Sequence, residues 1–351
     1  MERFVCVRVP KANAIDLTRY QFDFDLTFAV FFLRADGTVY GRYGTRSGAD
    51  NAVKDMTIDG FAEAMKGALE LHRKYPRIKS LLQDKQASQT QYKAPGDLPA
   101  LRGKYNEKLN YAGEVVKSCV HCHQIRDAER LVFRTAGKPI PEKHLFPFPL
   151  PKVLGFQLDP ETRATVSQVD AASAAAQAGL RVGDRIVSLD RQPILSTADV
   201  QWVLHGARES GTLRARVARN RQRLFVDLPL DLGWRQGGDI SWRETSWELR
   251  RMMTGGLRLE AASRKERLRI GREATQMALR VRHVGQYGEY AVAKQAGFKR
   301  DDIVVSFAGK DDLMTESLLL FYASQNSQPG DVVPVVVIRG DARREMSLRL
   351  Q

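Results

Sequence analysis

Apolar positions along the first part of the chain follow two periods in turn. Phe4 to Val9 is a β-branched and aromatic run, and Leu26 to Leu33 is a short continuous apolar run, the pattern of a strand covered on both faces. Ala35-Asp36-Gly37 supplies a hairpin turn, and Thr38 to Tyr43 returns with alternating side chains. From Thr57 to Tyr75 the spacing becomes helical. Thr57 is the N-cap, and Phe61, Met65, Leu69 and then Leu71 or His72 share a face. The stretch 83–99 has almost no apolar content and reads as a linker. Lys104 to Val120 reads as a second helix, with Tyr105, Leu109, Ala112, Val116 and Val120 on one side. Residues 137–152, rich in proline and phenylalanine, read as a stiff extended connection.

The remainder contains an internal repeat. Gln177-Ala178-Gly179-Leu180-Arg181-Val182-Gly183-Asp184-Arg185-Ile186-Val187-Ser188-Leu189 aligns without a gap on Gln295-Ala296-Gly297-Phe298-Lys299-Arg300-Asp301-Asp302-Ile303-Val304-Val305-Ser306-Phe307, and about half of the positions are identical. A strand-like segment precedes each copy (Ala164 to Val169; Leu279 to Val284). A helix follows each (Thr197 to Leu204; Thr315 to Tyr322), and a basic hairpin closes it (Leu213 to Leu230; Val332 to Leu350). Gly179 and Gly297 are 118 residues apart, a period too long for a solenoid and suited to a duplicated domain.

Composition narrows the class without naming a function. The 351 residues, 43% hydrophobic and 27% charged, describe a globular chain of two or three domains. Three cysteines are too few for a disulfide-stapled scaffold. No apolar run approaches the ~20 residues of a membrane span, and the start of the chain has no room for a signal-peptide core. The formal charge is +14, concentrated in Arg214–Arg223 and Arg250–Arg272. Neither patch has the interleaved aromatics or groove-reading motif of a nucleic-acid binder, so no nucleic acid is expected. A solvated basic face, or attraction to an acidic partner or membrane surface, accounts for the charge. No Gly-x-Ser-x-Gly, no serine-protease set and no phosphate-binding glycine loop occurs, and no catalytic residue is assigned.

The repeated segment resembles the core of a PDZ domain, with the pattern Ala-Gly-φ-x-x-Gly-Asp-x-Ile-φ-x-φ at Ala178–Leu189. The second copy keeps Ala296-Gly297 and Asp302 and departs at Asp301, where the first has Gly183. Leu154-Gly155-Phe156 stands where PDZ domains carry a loop whose backbone amides hold a peptide's C-terminal carboxylate while the next strand accepts the peptide. The resemblance therefore implies a groove lined by Leu154, Gly155, Phe156 and Leu158 from the strand and by Val200 and Leu204 from the helix. Gly256 and Leu257 are the weaker counterparts in the second copy. On the alternative reading the same apolar residues are core, and the domains only dock.

Cys119-x-x-Cys122-His123 has the spacing for two thioethers to one haem, with His123 as axial ligand. His144 is the candidate sixth ligand, with Met252 or Met253 behind it. A Cys₂His₂-like zinc site using His121 or His144, a reversible dithiol and a chance cluster remain open. Cys6, within an apolar run, reads as a buried structural cysteine.

The N-terminal segment resembles the second half of a thioredoxin fold, without the first strand, the helix carrying Cys-x-x-Cys, or the cis-proline, whose place Leu26 takes. FDFDLTFAVFFLRADGTVYGRYGTR, then SCVHCHQ, then tandem PDZ-like units containing DISWR (Asp239–Arg243) together resemble a bacterial thioredoxin-like/PDZ family, some members of which are selenoproteins. That resemblance implies a fragment, or a start at an internal methionine, lacking an upstream redox motif, as a selenocysteine codon read as stop would leave. It also implies an extracytoplasmic setting. The expected architecture is mixed α+β: a partial thioredoxin-like unit (1–80), a linker and helix with CxxCH (81–150), and PDZ-like domains at 151–235 and 236–351. The expected function is to hold protein or peptide C-termini, with electron transfer through covalent haem c as the alternative.

Overall fold

The computed structural model describes residues 2–106 and 108–351; Met1 and Glu107, the latter inside the stretch read as a second helix, lie outside them. The chain divides into two compact units, Met1–Ala128 with Phe146–Gly238, and Glu129–Leu145 with Asp239–Gln351.

In the first unit β1 (Val30–Leu33) and β2 (Val39–Tyr43) form an antiparallel hairpin. The helix Ile58–Lys74 covers it. Thr57 caps that helix by accepting from the Gly60 amide at 3.0 Å, as its sequence position predicts. Phe32, Tyr40 and Tyr43 pack against Ala64, Ala68, Leu82 and Leu195. The small residues let the helix approach closely, since a Cβ on Gly60 would meet the Pro160 carbonyl oxygen at 1.9 Å.

The same unit holds β3 (Phe156–Leu158) paired with β4 (Val166–Val169). It also holds a four-stranded sheet of order β6-β5-β7-β8, formed by β5 (Arg185–Leu189), β6 (Gln192–Pro193), β7 (Gly211–Arg219) and β8 (Gln222–Leu230). The helices Ala174–Gln177 and Thr197–Gly206 close a core of Leu154, Phe156, Ile186, Val200, Leu204, Val217 and Leu228. The second unit is built on one five-stranded antiparallel sheet of order β13-β12-β11-β10-β9. Its strands are β9 (Leu257–Ala261), β10 (Leu279–Val284), β11 (Ile303–Phe307), β12 (Val332–Arg339) and β13 (Ala342–Arg349). The helices Ser246–Thr254 and Glu316–Asn326 pack with it.

The repeat is visible atom by atom. Arg219 forks onto Asp184 (2.6 and 2.7 Å) and reaches the Gly179 carbonyl at 2.8 Å. Arg339 does the same to Asp302 (2.7 and 2.8 Å) and the Gly297 carbonyl at 2.8 Å. Asp184 accepts from the Arg181 amide and Asp302 from the Lys299 amide, each at 2.9 Å. Asp301 takes a left-handed conformation (φ 69°) where Gly183 has φ 86°, which aspartate tolerates better than most residues.

Several expectations are corrected. Residues 4–9 form no strand, and Cys6 is exposed, with Val5 at 94% and Val7 at 83% exposure; among the described residues β1 pairs with β2 alone. Among its described residues, the stretch Lys104–Val120 is not a helix beyond a short turn at Val115–Ser118. The side chain of Asn13 donates to the carbonyls of Asn106 (2.7 Å) and Ser118 (2.8 Å) and accepts from the Val120 amide (3.0 Å), which holds the stretch open. The long helix comes later, at Cys122–Thr135. The polar stretch 83–99 contains the fully buried Lys85 and Leu98, so it is part of the packed unit. Residues 137–152 carry buried Ile140, Leu145, Phe146 and Phe148 where an extended connection was expected.

Burial alone would raise the Asp184 carboxyl, but the Arg219 fork and the Arg181 amide outweigh it and hold it below its ordinary value. A depressed folded-state pKa stabilises the fold above the unfolded value of about 3.9, and that stabilisation is lost as pH falls through the folded one. Asp184→Asn is therefore expected to lower unfolding free energy by about 1.5–3 kcal/mol at neutral pH, with the gap to wild type narrowing as pH falls below about 4. Denaturant titrations across that range check it, and a gap independent of pH would contradict it.

Candidate functional site

Pro151–Leu154 forms one turn of 3₁₀ helix that ends at Gly155, with φ +82°. A Cβ on Gly155 would fall 2.1 Å from that of Ser173, so the backbone here passes where only glycine fits. β3 begins at the next residue. Leu158 lies opposite Val166, whose amide donates to the Asp184 carbonyl and whose carbonyl accepts from the Gly183 amide, both at 2.8 Å. The pair therefore shares no hydrogen bond, and the Leu158 amide turns to the other edge of β3. The Asp159 amide, bonded to the Thr165 carbonyl at 2.8 Å, sets the same alternation. Phe156 and Leu158 thus present their amides along an edge that no strand covers among the described residues.

The helix Thr197–Gly206 shares the core with Leu154 and Phe156 through Val200 and Leu204. Ser196 caps it by accepting from the Ala198 amide and donates to the Arg42 carbonyl at 2.6 Å. Asp199 is fully buried and accepts from Lys85 Nζ at 2.6 Å, the Arg42 amide at 3.1 Å and the Leu195 amide at 2.9 Å. Trp202 donates from Nε1 to the Asp84 carbonyl at 2.8 Å, and the Arg42 guanidinium lies 3.6 Å from the Trp202 ring. Burial pushes the Arg42 guanidinium down to about 10 against the opposing pull of Asp199. Lys85 is lowered too, first by burial, although Asp199 works against it. At its other end the helix is closed by Arg235, which donates to the carbonyls of Leu204 and Ala207. Sequence reading did not find Asp199, Lys85 or Arg235; Lys85 sat in apparent linker, and only tertiary contact reveals it.

Of the residues expected to line a groove, Leu154, Phe156, Val200 and Leu204 are at most 2% exposed and form the core. Leu158 alone is half-buried. What this site offers directly is the backbone edge of β3 and the turn at Gly155. Gly256 (φ +89°) and the buried Leu257 open β9 in the second unit, and a Cβ on Gly256 would meet the Tyr290 carbonyl oxygen at 2.0 Å.

Cys119 follows the turn Val115–Ser118, and Cys122 opens the helix Cys122–Thr135. Burial pushes the Cys122 thiol up, and the neighbouring Cys119 adds to it. This is the opposite of an activated thiolate. His123 Nδ1 lies 3.6 Å from Asp127 Oδ2, the outer partner that ligating histidines commonly use. At that separation the contact is one of charge and not a hydrogen bond. His144 belongs to the second unit, where its ring packs 5.2 Å from Phe133 and its Nδ1 lies 3.8 Å from Glu129. Met252 and Met253 are fully buried core residues there. The zinc alternative finds no support: among the described residues no group of three or more His, Cys, Asp or Glu is placed to hold a metal ion.

Residues 152–230 match the family model described as a PDZ domain, and they form one. Two proteins of Pseudomonas putida strains F1 and GB-1, each named "Probable periplasmic serine endoprotease DegP-like", are 36% identical over 73 residues, 21% of this chain and 15% of theirs. A third, from strain W619, is 31% identical over 99 residues, 26% of this chain and 21% of its own. The chain thus spans about a fifth or less of the length of these curated relatives. Among solved structures, the HtrA-type protease AlgW with a decapeptide aligns at a TM-score of 0.24 and 15% identity, covering 40% of this chain and 48% of that one.

Proposed function

We propose that the chain is a peptide-binding module in which an extended segment, ending in a free carboxylate, adds as a strand to the edge of β3. The observation that carries this reading is that Phe156 and Leu158, in a PDZ domain, both turn their amides to an edge with no strand on it. The Phe156 amide, just after the left-handed Gly155, takes the terminal carboxylate, and the Leu158 amide takes a peptide carbonyl two residues earlier. Main-chain bonds of this kind supply affinity, and side-chain fit at Leu158 supplies selectivity. The match to proteins named periplasmic DegP-like supports an extracytoplasmic setting, and the PDZ match supports protein or peptide C-termini as partners. The second repeat, with its matching arginine–aspartate fork, is read as a second PDZ-like domain.

A second reading rests on the Asp127–His123 contact. Cys119 and Cys122 would attach a haem and His123 would take its iron, which when bound supplies a one-electron carrier. Asp127 would orient the histidine.

Leu158→Pro removes the outward amide together with the leucine side chain and leaves the inward ladder bonds in place, a change that edge strands tolerate. It is expected to weaken binding of peptides with an aliphatic C-terminus at least tenfold, while Gln157→Pro, which removes an inward ladder bond, unfolds the domain. Fluorescence anisotropy with a folded Leu158→Pro protein checks it, and unchanged affinity would remove the strand-addition reading. Co-expression with a c-type haem maturation system is expected, under the second reading, to give a haem-staining band lost in Cys119→Ala. Absence of that band discards it.

A further inference from the structure

The two repeats share their folding logic at the strand that follows the glycine turn, and they differ in what lies against its edge. Gly155 accepts from the Asp170 amide at 2.7 Å, and Gly256 accepts from the Gly285 amide at 3.0 Å. Three residues on, Leu158 faces Val166 and Leu259 faces Val281. The Val281 amide donates to the Asp302 carbonyl at 2.8 Å and its carbonyl accepts from the Asp301 amide at 2.9 Å, as Val166 does with Asp184 and Gly183. The Leu259 amide must therefore point outward, as that of Leu158 does.

In the second repeat that outward amide is already taken. It donates at 2.6 Å to Oε1 of Glu316, the first residue of the helix Glu316–Asn326. Glu316 is 3% exposed and is held by Arg250, itself 1% exposed, through Nε at 3.0 Å and Nη2 at 2.5 Å. Arg250 also donates from Nη2 to the Ser241 carbonyl at 2.6 Å. One step back along the edge, the Leu257 carbonyl accepts from the Thr254 hydroxyl at 3.0 Å. The strand, its flanking helix and the helix Ser246–Thr254 are thus cross-linked through one buried carboxylate.

We infer that Glu316 latches the outer edge of β9, so that the chain accepts one peptide, on β3, and none on β9. This rests on the peptide-binding reading for its first half only. In the first repeat the buried carboxylate is Asp199, which ties its helix to Lys85 and β2 and leaves β3 without a link across the edge. A peptide approaching β9 would have to take the Leu259 amide from a buried carboxylate that Arg250 holds in place, leaving that carboxylate with one bond fewer and no water to replace it. At β3 it would meet two amides with nothing to displace.

Amide hydrogen exchange, followed by NMR on the full chain, separates the possibilities. Without peptide, Leu259 is expected to be protected at least about a hundredfold more than Leu158, the difference between a buried bond and an open edge. A pool of synthetic decapeptides ending in an aliphatic residue with a free carboxylate is expected to slow Leu158 tenfold or more and to leave Leu259 unchanged. Leu259 exchanging as fast as Leu158, or slowed by the peptides, would overturn the latch. Peptides that leave both amides unchanged, with Leu259 still protected, uphold the latch and remove the peptide-binding reading. Pairing Glu316→Leu with Arg250→Met, which withdraws both charges together, is expected to cut Leu259 protection at least tenfold. If that variant does not fold, the wild-type comparison decides alone.

Discussion

A carboxylate buried at the start of a helix cannot be left without partners, because an ionised group removed from water costs more than most folds can absorb. Each repeat of this chain contains one, and the partners each has acquired determine the behaviour of the nearby strand. Asp199 draws in Lys85 and the Arg42 amide from outside the PDZ domain and the Leu195 amide from within it, so the helix Thr197–Gly206 is fastened to the hairpin β1–β2 and to the segment before Gln86. Glu316 draws in Arg250 and the amide of the strand beside it, so the helix Glu316–Asn326 is fastened to β9. Two copies of one design thus diverge through the choice of counter-ion, and the divergence leaves one edge open and closes the other.

The repeated framework was legible because its determinants are local. Gly179, Gly183 and Asp184 sit within a few residues of one another, and the same spacing recurs at Gly297, Asp301 and Asp302. The cap at Thr57 was likewise visible, since an N-cap acts over three residues. What escaped was long-range. Asn13 holds a segment more than ninety residues away in a non-helical course, and no window of sequence shows that. Lys85 looked solvated because its neighbours are polar, while its ammonium serves an aspartate 114 residues on. The turn at Gly155 and the strand after it were legible, but not which of their groups are accessible. The apolar residues expected to line a groove proved to be its underlying core, and the accessible chemistry is the backbone.

The charge excess changes meaning on the same grounds. Arg42, Arg130, Arg134 and Arg250 are buried and act as structural forks on carbonyls and carboxylates. Arg130 joins the His144 and Thr245 carbonyls at 2.8 Å each, and Arg134 reaches the Gln351 carbonyl at 2.7 Å. Arg250, which opens the second basic stretch, belongs to the core of its unit rather than to a solvated face. The planar, always-charged guanidinium suits such roles better than lysine does. A net charge of +14 therefore overstates the basic surface available to an acidic partner.

The central claim is that a peptide backbone adds to β3 beside Gly155. Intermolecular NOEs between an isotope-labelled chain and an unlabelled peptide with a free aliphatic C-terminus test it directly. The account predicts cross-peaks from the amides of Phe156 and Leu158 to the peptide backbone in antiparallel register, and none from Leu259. Cross-peaks on β9, or a bound peptide with no contact to β3, would contradict it.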